Sequence, residues 1–288
     1  MHADEIALDA ADVRRLLAAQ FPEWAELPIQ RVASSGTVNA MFRLGDGMTV
    51  RLPLIPSGAP GILHESRWLP RLAPALPVRI PAVLGIGAPD DGYPLPWLVL
   101  DWIPGSCPEP GSGGAALAED LATVILALRR VSPAGAPPSY RGGPLAALDE
   151  QVRGCLAELG MPSLVPAWEA ALAAPGWDGP PTCAHADLLP GNLLVGDSGA
   201  DDGRLAGVLD FAASGVGDPA CDLMPAWSVF TAEGRAAFRA ALDADDAMWQ
   251  RGRGWALAQA AIALPYYRDS NPGMAEVART ALEALATA

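Results

Sequence analysis

The sequence contains no lysine. All 19 of its basic residues are arginine, against 33 acidic residues in 288. The formal net charge of −14 does not suit binding to the phosphates of nucleic acid, so we expect no nucleic-acid partner. A cationic small molecule is compatible with this charge. Any chemistry that proteins usually assign to a lysine must here be done by an arginine or left undone.

Long apolar runs are also missing. Proline, glycine or a charged residue interrupts each apolar stretch well before the roughly 18 residues that a membrane-spanning helix needs. The first 17 residues, MHADEIALDAADVRRLL, are acidic and amphipathic, and lack the basic region and apolar run of a secretory signal. We therefore expect a cytoplasmic protein with no membrane partner. The sequence leaves the oligomeric state open.

The four cysteines form no CxxC pair and fit no zinc or redox spacing, so we expect free thiols: Cys107, Cys155, Cys183 and Cys221. Hydrophobic residues make up 51% of the chain and charged residues 18%. This composition is typical of a folded protein with a substantial core.

The first third of the chain is rich in predicted strands. Residues 9–20 have apolar positions at helical spacing after an acidic start. The segments NAMFRL and MTVRLP flank Gly45-Asp46-Gly47, which predicts a β-hairpin. Residues 61–73 predict a helix weakened by Pro70, and IPAVLGIG and WLVLDWI predict two more strands joined by a hairpin.

The remainder of the chain is rich in predicted helices. The loop-like segment PGSCPEPGSGG, residues 104–114, predicts a boundary between an N-terminal lobe, 1–103, and a C-terminal lobe, 104–288. Helices are predicted at 115–130, 144–159 and 164–174, followed by the strands NLLV and LAGVLDF. Beyond residue 221 we expect helices with breaks near Gly234, Pro265 and Pro272.

The segment 183–223 contains the chemically informative pattern. His185-Ala186-Asp187 is followed five residues later by Asn192, which opens one strand, and a second strand ends at Asp210-Phe211. A tight turn between the strands would bring Asn192 and Asp210 to one end of a hairpin, next to Asp187. Two carboxylates and an amide supply oxygen ligands for Mg²⁺ and one group to handle a proton. The spacing HxDxxxxN followed by Asp-Phe matches the kinase template.

These motifs resemble those of the aminoglycoside phosphotransferase family, within the small-molecule kinases that include choline and macrolide kinases. The family motifs HGDLxxxN, an acidic residue before Phe or Trp, and GDPAxDL stand here as HADLLPGN, LDFA and GDPACDL. Ala186 replaces the usual glycine, which we expect to be tolerated because the residue is small. The resemblance implies an α+β, protein-kinase-like two-lobed fold, with an N-terminal antiparallel sheet plus a helix and a mostly helical C-terminal lobe.

The resemblance also implies roles for the motif residues. Asp187 would be the catalytic base, and Asn192 and Asp210 would bind Mg²⁺, with ATP or GTP as co-substrate. Structural support for the catalytic loop is expected from His185, Asp218 and Asp222. Taken singly, Asn192 could be a turn residue and Asp210 a strand-end cap, but their joint spacing disfavours both alternatives.

The nucleotide is expected in the N-terminal lobe. Ser35, Gly36 and Thr37 could cover the phosphates, although an ordinary β-turn would look similar. Arg51 stands where a kinase carries its phosphate-pairing lysine, with Glu65 as its ion-pair partner; the alternative is an edge-strand arginine in solvent. The expected hinge for the purine base comprises Leu100, Asp101, Trp102 and Ile103, although a plain buried strand would fit too.

The acceptor is less well defined. Acidic residues of the C-terminal helices could bind a polycation or simply face solvent: Asp243, Asp245, Asp246, Asp269 and Glu276. Aromatic residues nearby could form a binding wall or part of the core: Trp249, Trp255, Tyr266 and Tyr267.

We expect an O-phosphotransferase acting on an aminoglycoside-like antibiotic, and hence a role in antibiotic resistance. The alternatives are a metabolic kinase for choline, homoserine or a sugar, and a nucleotide-binding pseudokinase suggested by Arg51. A metal-dependent hydrolase built on His185 and Asp187 lacks a second nearby histidine.

Overall fold

The computed structural model describes residues 5–32, 38–197 and 203–287. The chain divides into two compact units. The first comprises Met1–Pro74, Arg79–Pro104 and Leu209–Ala212, and the second comprises Ala75–Val78, Gly105–Val208 and Ala213–Ala288. The short segment Leu209–Ala212 therefore packs with the first unit although it lies far along the chain.

The first unit is a five-stranded sheet with two helices. Its elements are α1 (Ala10–Gln20), β1 (Ile29–Arg31), β2 (Asn39–Leu44), β3 (Met48–Pro53), α2 (Ala59–Leu72), β4 (Val83–Gly87) and β5 (Trp97–Asp101). The strand order is β1-β2-β3-β5-β4, and all neighbouring strands are antiparallel. Both expected hairpins are present, and Gly45 occupies the left-handed region, with φ 56°, in the turn between β2 and β3.

The core of the first unit lies between α1 and the sheet. Leu16 and Leu17 of α1 are fully buried with Phe42 and Leu44 of β2. Alternate positions of β2 point into this core, as the period of a strand requires. Pro70 does not end α2, which continues to Leu72, because the hydrogen bond that proline cannot donate is lost only in the last turn.

The second unit is mostly helical. Its elements are α3 (Ala115–Leu128), α4 (Asp149–Glu158), α5 (Val165–Ala173), β6 (Thr182–Ala184), β7 (Leu193–Val195), β8 (Leu205–Val208), β9 (Gly215–Gly217), α6 (Pro225–Ser228), α7 (Ala232–Ala241), α8 (Asp246–Tyr267) and α9 (Pro272–Ala286). Two small antiparallel pairs, β6 with β9 and β7 with β8, hold the segments that carry the motif residues.

The helices after residue 221 are interrupted at residues 229–231 and 268–271, close to the predicted breaks, but neither Gly234 nor Pro265 itself ends a helix. Gly234 lies inside α7, where the cap residue Thr231 accepts a hydrogen bond from its N–H; a side chain there would come within 2.4 Å of the Gly113 carbonyl oxygen. Pro265 lies in the last turn of α8 and does not end the helix. Pro272 does mark a boundary, at the start of α9, where its missing N–H costs nothing.

The cysteines are free thiols, as the sequence predicts. None of the helices that the structure describes combines the length and hydropathy needed to cross a bilayer.

Candidate active site

Arg51 is the centre of a buried charge cluster in the first unit. Its Nη1 lies 2.7 Å from Glu65 Oε2 and its Nη2 lies 2.8 Å from Asp210 Oδ1. With the Asn39 amide oriented to satisfy its hydrogen bonds, Asn39 Oδ1 accepts from Arg51 Nε at 3.1 Å and Nη2 at 2.9 Å. Three partners therefore surround the guanidinium, and only 7% of the Arg51 side chain is exposed.

Glu65 connects Arg51 to the backbone that follows Asp210. Its Oε1 accepts a hydrogen bond from the Phe211 N–H at 2.9 Å. Burial raises the pKa of Glu65 to about 7, and the positive charge of Arg51 opposes this rise. Burial also acts to lower the pKa of Arg51, but Asp210 and Glu65 outweigh it and raise that pKa overall. Arg51 therefore remains charged, and its planar fork fits two carboxylates at once.

Asp210 adopts an unusual backbone conformation. Its φ of 58° lies in the left-handed region, which costs an L-residue about 1–2 kcal/mol. Aspartate tolerates this region better than most residues. The Asp210 side chain is 37% exposed and held by Arg51, so the strained backbone presents a fixed but accessible carboxylate.

Asp187 is the centre of a second cluster, in the second unit. Arg141 Nη1 donates to Asp187 Oδ1 at 2.6 Å, and Asn192 Nδ2 donates to Asp187 Oδ2 at 3.2 Å. The same Asn192 nitrogen donates to the Asp187 carbonyl at 2.8 Å. The carbonyl end of the Asn192 amide therefore faces away from Asp187.

His185 and Asp222 hold the loop that carries Asp187. His185 is 1% exposed, and its Nδ1 accepts from the Asp187 N–H at 3.2 Å. Asp222 Oδ2 accepts from the His185 N–H at 3.0 Å, and its Oδ1 accepts from the Ala186 N–H at 2.7 Å. Burial raises the pKa of Asp222, and nearby His185 opposes the rise. Neither residue lies at the surface, so both act on the loop rather than on a ligand.

Ala186 is left-handed, with φ 65°. The small size of alanine predicts that Ala186 is tolerated, but the left-handed backbone at this position favours glycine. Asp222 accepts from the strained Ala186 N–H, which offsets part of the cost.

Asp218 anchors the turn that precedes Asp222. Its carboxylate accepts from Arg251 Nε at 2.6 Å and from the Ala220 N–H at 3.0 Å. Arg251 is itself buried and donates to the Pro175 carbonyl at 2.6 Å. The GDPACDL motif therefore supports the loop that carries Asp187 through Asp222 and is itself fixed by Asp218.

The expected hinge residues lie at the end of β5. Leu100 is buried in the sheet, opposite Thr49, and Ile103 is also buried. The amides of Asp101 and Trp102 donate to the carbonyls of Ala82, at 3.0 Å, and Gly47, at 2.8 Å. Neither amide is available to a purine base without breaking a bond in the first unit.

The predicted phosphate loop, with Ser35, Gly36 and Thr37, lies outside the described residues.

The acidic candidates for acceptor binding have local partners. Asp245 caps α8 by accepting from the Met248 N–H at 2.7 Å, and Asp243 lies in the left-handed turn just before it. The remaining three form ion pairs: Asp246 with Arg239, Asp269 with Arg268, and Glu276 with Arg279.

The aromatic candidates pack against one another or inside the unit. Trp255 is buried, Trp249 lies 4.9 Å from Trp227 between ring centroids, and Tyr266 meets Tyr267 edge-on. Neither set singles out an acceptor site.

Three functional candidates have no local sequence signal. Asn39 starts β2 inside an ordinary strand pattern. Arg141 contacts Asp187 across 46 residues, and Arg251 contacts Asp218 across 33. Because the chain has no lysine, its composition indicates that the cationic partners of these carboxylates are arginines, but not which ones.

The chain matches the model of the phosphotransferase enzyme family over residues 29–255. A match of this length shows that the chain belongs to this family. It is a small-molecule phosphotransferase, that is, a small-molecule kinase. No curated protein matches the chain significantly.

Solved structures with the same fold include aminoglycoside and macrolide phosphotransferases. The GDP and kanamycin complex of APH(2″)-IIIa has a TM-score of 0.77 at 20% identity, covering 96% of this chain and 98% of that chain. The streptomycin–ATP complex of APH(2″)-IIa has a TM-score of 0.60 at 17% identity, covering 98% and 97%. The macrolide 2′-phosphotransferase MphH from Brachybacterium faecium has a TM-score of 0.60 at 23% identity, covering 95% and 97%. These matches confirm the predicted kinase-like fold.

Proposed function

We propose that the protein transfers the γ-phosphate of ATP or GTP, with Mg²⁺, to a hydroxyl of an aminoglycoside-like antibiotic. The observation that carries this proposal is the Asp187 carboxylate, which is held on both oxygens and still 26% exposed. Two of the similar structures contain a nucleotide together with an aminoglycoside: GDP with kanamycin in one, and ATP with streptomycin in the other. The macrolide enzyme among them makes the acceptor class the part most in need of a test.

Asp187 is the proposed catalytic base. Phosphoryl transfer requires a carboxylate that hydrogen-bonds the attacking hydroxyl and accepts its proton as the new P–O bond forms. The loop around Asp187 is fixed by His185 and by buried Asp222, so the carboxylate is already oriented before the acceptor binds.

Asn192 and Asp210 are the proposed Mg²⁺ ligands. A carboxylate and an amide oxygen suit Mg²⁺, which usually takes one or two protein ligands and completes its shell with phosphates and water. Among the residues described, no group of three or more His, Cys, Asp or Glu could hold a metal. Asn192 and Asp210 need no such group, because Mg²⁺ can bind to two protein ligands and complete its shell with phosphates and water. Bound Mg²⁺ would offset the charge of the phosphates. Asn192 fits because its amide nitrogen is engaged with Asp187, which leaves the oxygen end for a ligand.

Arg51 is proposed to contact phosphate oxygens, oriented by Glu65 in place of the usual lysine–glutamate pair. Since Asp210 already accepts from Arg51 Nη2, a nucleotide with Mg²⁺ must compete for both groups.

For the purine base we propose the Ile103 amide, because the Asp101 and Trp102 amides already donate to carbonyls of the first unit. Ser35, Gly36 and Thr37 remain the proposed phosphate loop. We retain residues 1–103 as the nucleotide-binding lobe and 104–288 as the catalytic and acceptor-binding lobe.

A turnover screen tests this function. The protein is incubated with Mg²⁺-ATP or Mg²⁺-GTP and kanamycin, streptomycin, gentamicin, a macrolide, choline or homoserine, and phosphorylated product is measured by mass spectrometry. The matched control is Asp187→Asn, which keeps the shape of the side chain but removes the base. We expect product with at least one aminoglycoside and none from the control. Product only with choline or homoserine would indicate a metabolic kinase, and nucleotide binding without any product would indicate a pseudokinase.

A further inference from the structure

The segment 137–142 lies against β9, one of the two strands of the small sheet that leads into the loop carrying Asp187. Four backbone hydrogen bonds hold it: Val216 N–H to Pro137 O at 2.8 Å, Ser139 N–H to Val216 O at 3.0 Å, Tyr140 N–H to Ala213 O at 2.9 Å, and Asp218 N–H to Gly142 O at 2.8 Å. β9 pairs in turn with β6, and β6 leads directly into His185. The position of this segment is therefore coupled to that of Asp187.

Glycines make this close approach possible. A Cβ atom on Gly215 would lie 2.4 Å from the Pro137 carbonyl oxygen and 2.7 Å from the Ser139 nitrogen. A Cβ atom on Gly217 would lie 2.4 Å from Ser139 Oγ. Gly142 itself has a φ of 108°, which L-residues rarely adopt. The Gly-Val-Gly sequence before Asp218 thus accommodates the segment 137–142.

The side chain that this segment delivers is Arg141. Its Nη1 donates both to the Ala186 carbonyl at 2.7 Å and to Asp187 Oδ1 at 2.6 Å. Its Cζ lies 5.0 Å from the centroid of the Tyr140 ring, and 17% of the side chain is exposed. The guanidinium therefore contacts the carboxylate proposed to act on the acceptor, and also the strained residue beside it.

We propose that Arg141 is a positioning residue for phosphoryl transfer, which fixes the orientation of the Asp187 carboxylate; this inference rests on the proposed function. Arg141 holds Oδ1 while Asn192 holds Oδ2, so rotation of the carboxylate would break a hydrogen bond from the Arg141 cation and another from the neutral amide of Asn192. Asn192 is part of the recognised motif, whereas Arg141 comes from a loop that no motif marks. If Arg141 only stabilised the loop, its contact with the Ala186 carbonyl would be sufficient. Its additional contact with Asp187 Oδ1 is the one that orients the carboxylate.

The test compares Arg141→Gln with Arg130→Gln, because Arg130 is an exposed arginine of the same unit. Release of ADP or GDP from Mg²⁺-ATP or Mg²⁺-GTP is measured in water alone and with kanamycin. For Arg141→Gln we expect kcat to fall by about 10²-fold, because misplacing a reacting group by 1 Å has an effect of that order. The KM for the nucleotide should change by less than about twofold, because the variant removes no contact that binds the nucleotide in both the ground state and the transition state. Arg141→Lys should recover part of kcat, and Arg130→Gln should match the wild type.

A second pair of variants reaches Arg141 through the backbone. Gly215→Ala should displace the segment 137–142 and lower kcat as Arg141→Gln does. Gly143→Ala is its control, because a Cβ atom there meets nothing within 4 Å. Thermal unfolding of each variant identifies any loss of kcat that comes from misfolding. If Gly215→Ala misfolds, the comparison of Arg141→Gln with Arg141→Lys tests the inference instead.

The inference is overturned if folded Arg141→Gln keeps the wild-type kcat, or if it raises the nucleotide KM with kcat unchanged. A folded Arg141→Lys no more active than Arg141→Gln would equally contradict it. A wild-type protein that releases no ADP or GDP under any condition refutes the proposed function and this inference together. Full activity of the variant beside an active wild type refutes this inference alone.

Discussion

Replacing Arg51 by alanine should destabilise the protein strongly. The variant leaves Glu65, which is fully buried, without its cation, and removes the partner of the Asp210 carboxylate as well. Removing one member of a buried ion pair typically costs about 3–5 kcal/mol, because the remaining charge stays desolvated and uncompensated. The donated hydrogen bonds to Asn39 are lost in addition. We therefore expect a loss of about 3–5 kcal/mol in the free energy of unfolding.

Arg51→Lys separates charge from geometry. It keeps a positive charge near Glu65 but cannot reproduce a planar fork that meets Glu65, Asp210 and Asn39 together. We expect an intermediate loss of about 1.5–3 kcal/mol, which is the usual worth of one hydrogen bond to a charged group. If Arg51 contacts phosphate, this variant should also retain measurable phosphotransferase activity, whereas Arg51→Ala should not.

Urea denaturation followed by circular dichroism measures these losses, with a constant m-value as evidence that unfolding remains two-state. The matched control is Arg15→Ala, which breaks an ion pair with Asp90 in the same unit. Its side chains are 44% and 27% exposed, so we expect a loss below about 1 kcal/mol. An Arg51→Ala loss as small as that of Arg15→Ala would refute the argument that the Arg51 cluster is desolvated.

Three further predictions concern the loop that carries Asp187. Asp187→Asn should abolish phosphoryl transfer but leave nucleotide affinity by calorimetry within about twofold, because the proposed base is used only in the chemical step; retained turnover would contradict this proposed role. Asp222→Asn should lower the free energy of unfolding by about 1–3 kcal/mol in urea denaturation, because an amide has one acceptor oxygen for the two N–H groups of His185 and Ala186. Ala186→Gly should change the free energy of unfolding by less than about 1 kcal/mol, because opposing effects nearly cancel. Glycine relieves the left-handed backbone, which stabilises by about 1–2 kcal/mol. It also adds about 0.4–1 kcal/mol of unfolded-state entropy and loses about 0.8 kcal/mol from the buried methyl group. A large change in either direction would show that the balance at Ala186 is wrong.

The strands and helices of the first unit could be predicted because their signals are local. Gly45-Asp46-Gly47 produces a hairpin through backbone conformations that glycine permits, and alternating burial along β2 follows from the strand period. The same local rules place helix breaks near Gly234 and Pro265, but both residues lie inside their helices. Packing of α7 against Gly113 and the position of Pro265 in a last turn outweighed the preference of these residues to end helices.

The sequence by itself determined the family motifs, their order and spacing, and the free cysteines. It also determined that every fixed cation had to be an arginine, since the chain has no lysine. These features depend only on which residues are present and on how far apart they lie along the chain. They were sufficient to predict the fold and the class of enzyme.

The sequence suggested Glu65 as the partner of Arg51, and the two side chains do form an ion pair. The tertiary structure alone decided the other pairs of arginine and carboxylate. Arg51 meets Asp210 across 159 residues, and Arg141 meets Asp187 across 46. Such pairs depend on how strands and loops dock, for example on the space that Gly215 leaves for the segment 137–142. It also revealed the left-handed backbone at Ala186. Contacts between distant parts of the chain arise from packing, and no local pattern of residues encodes them.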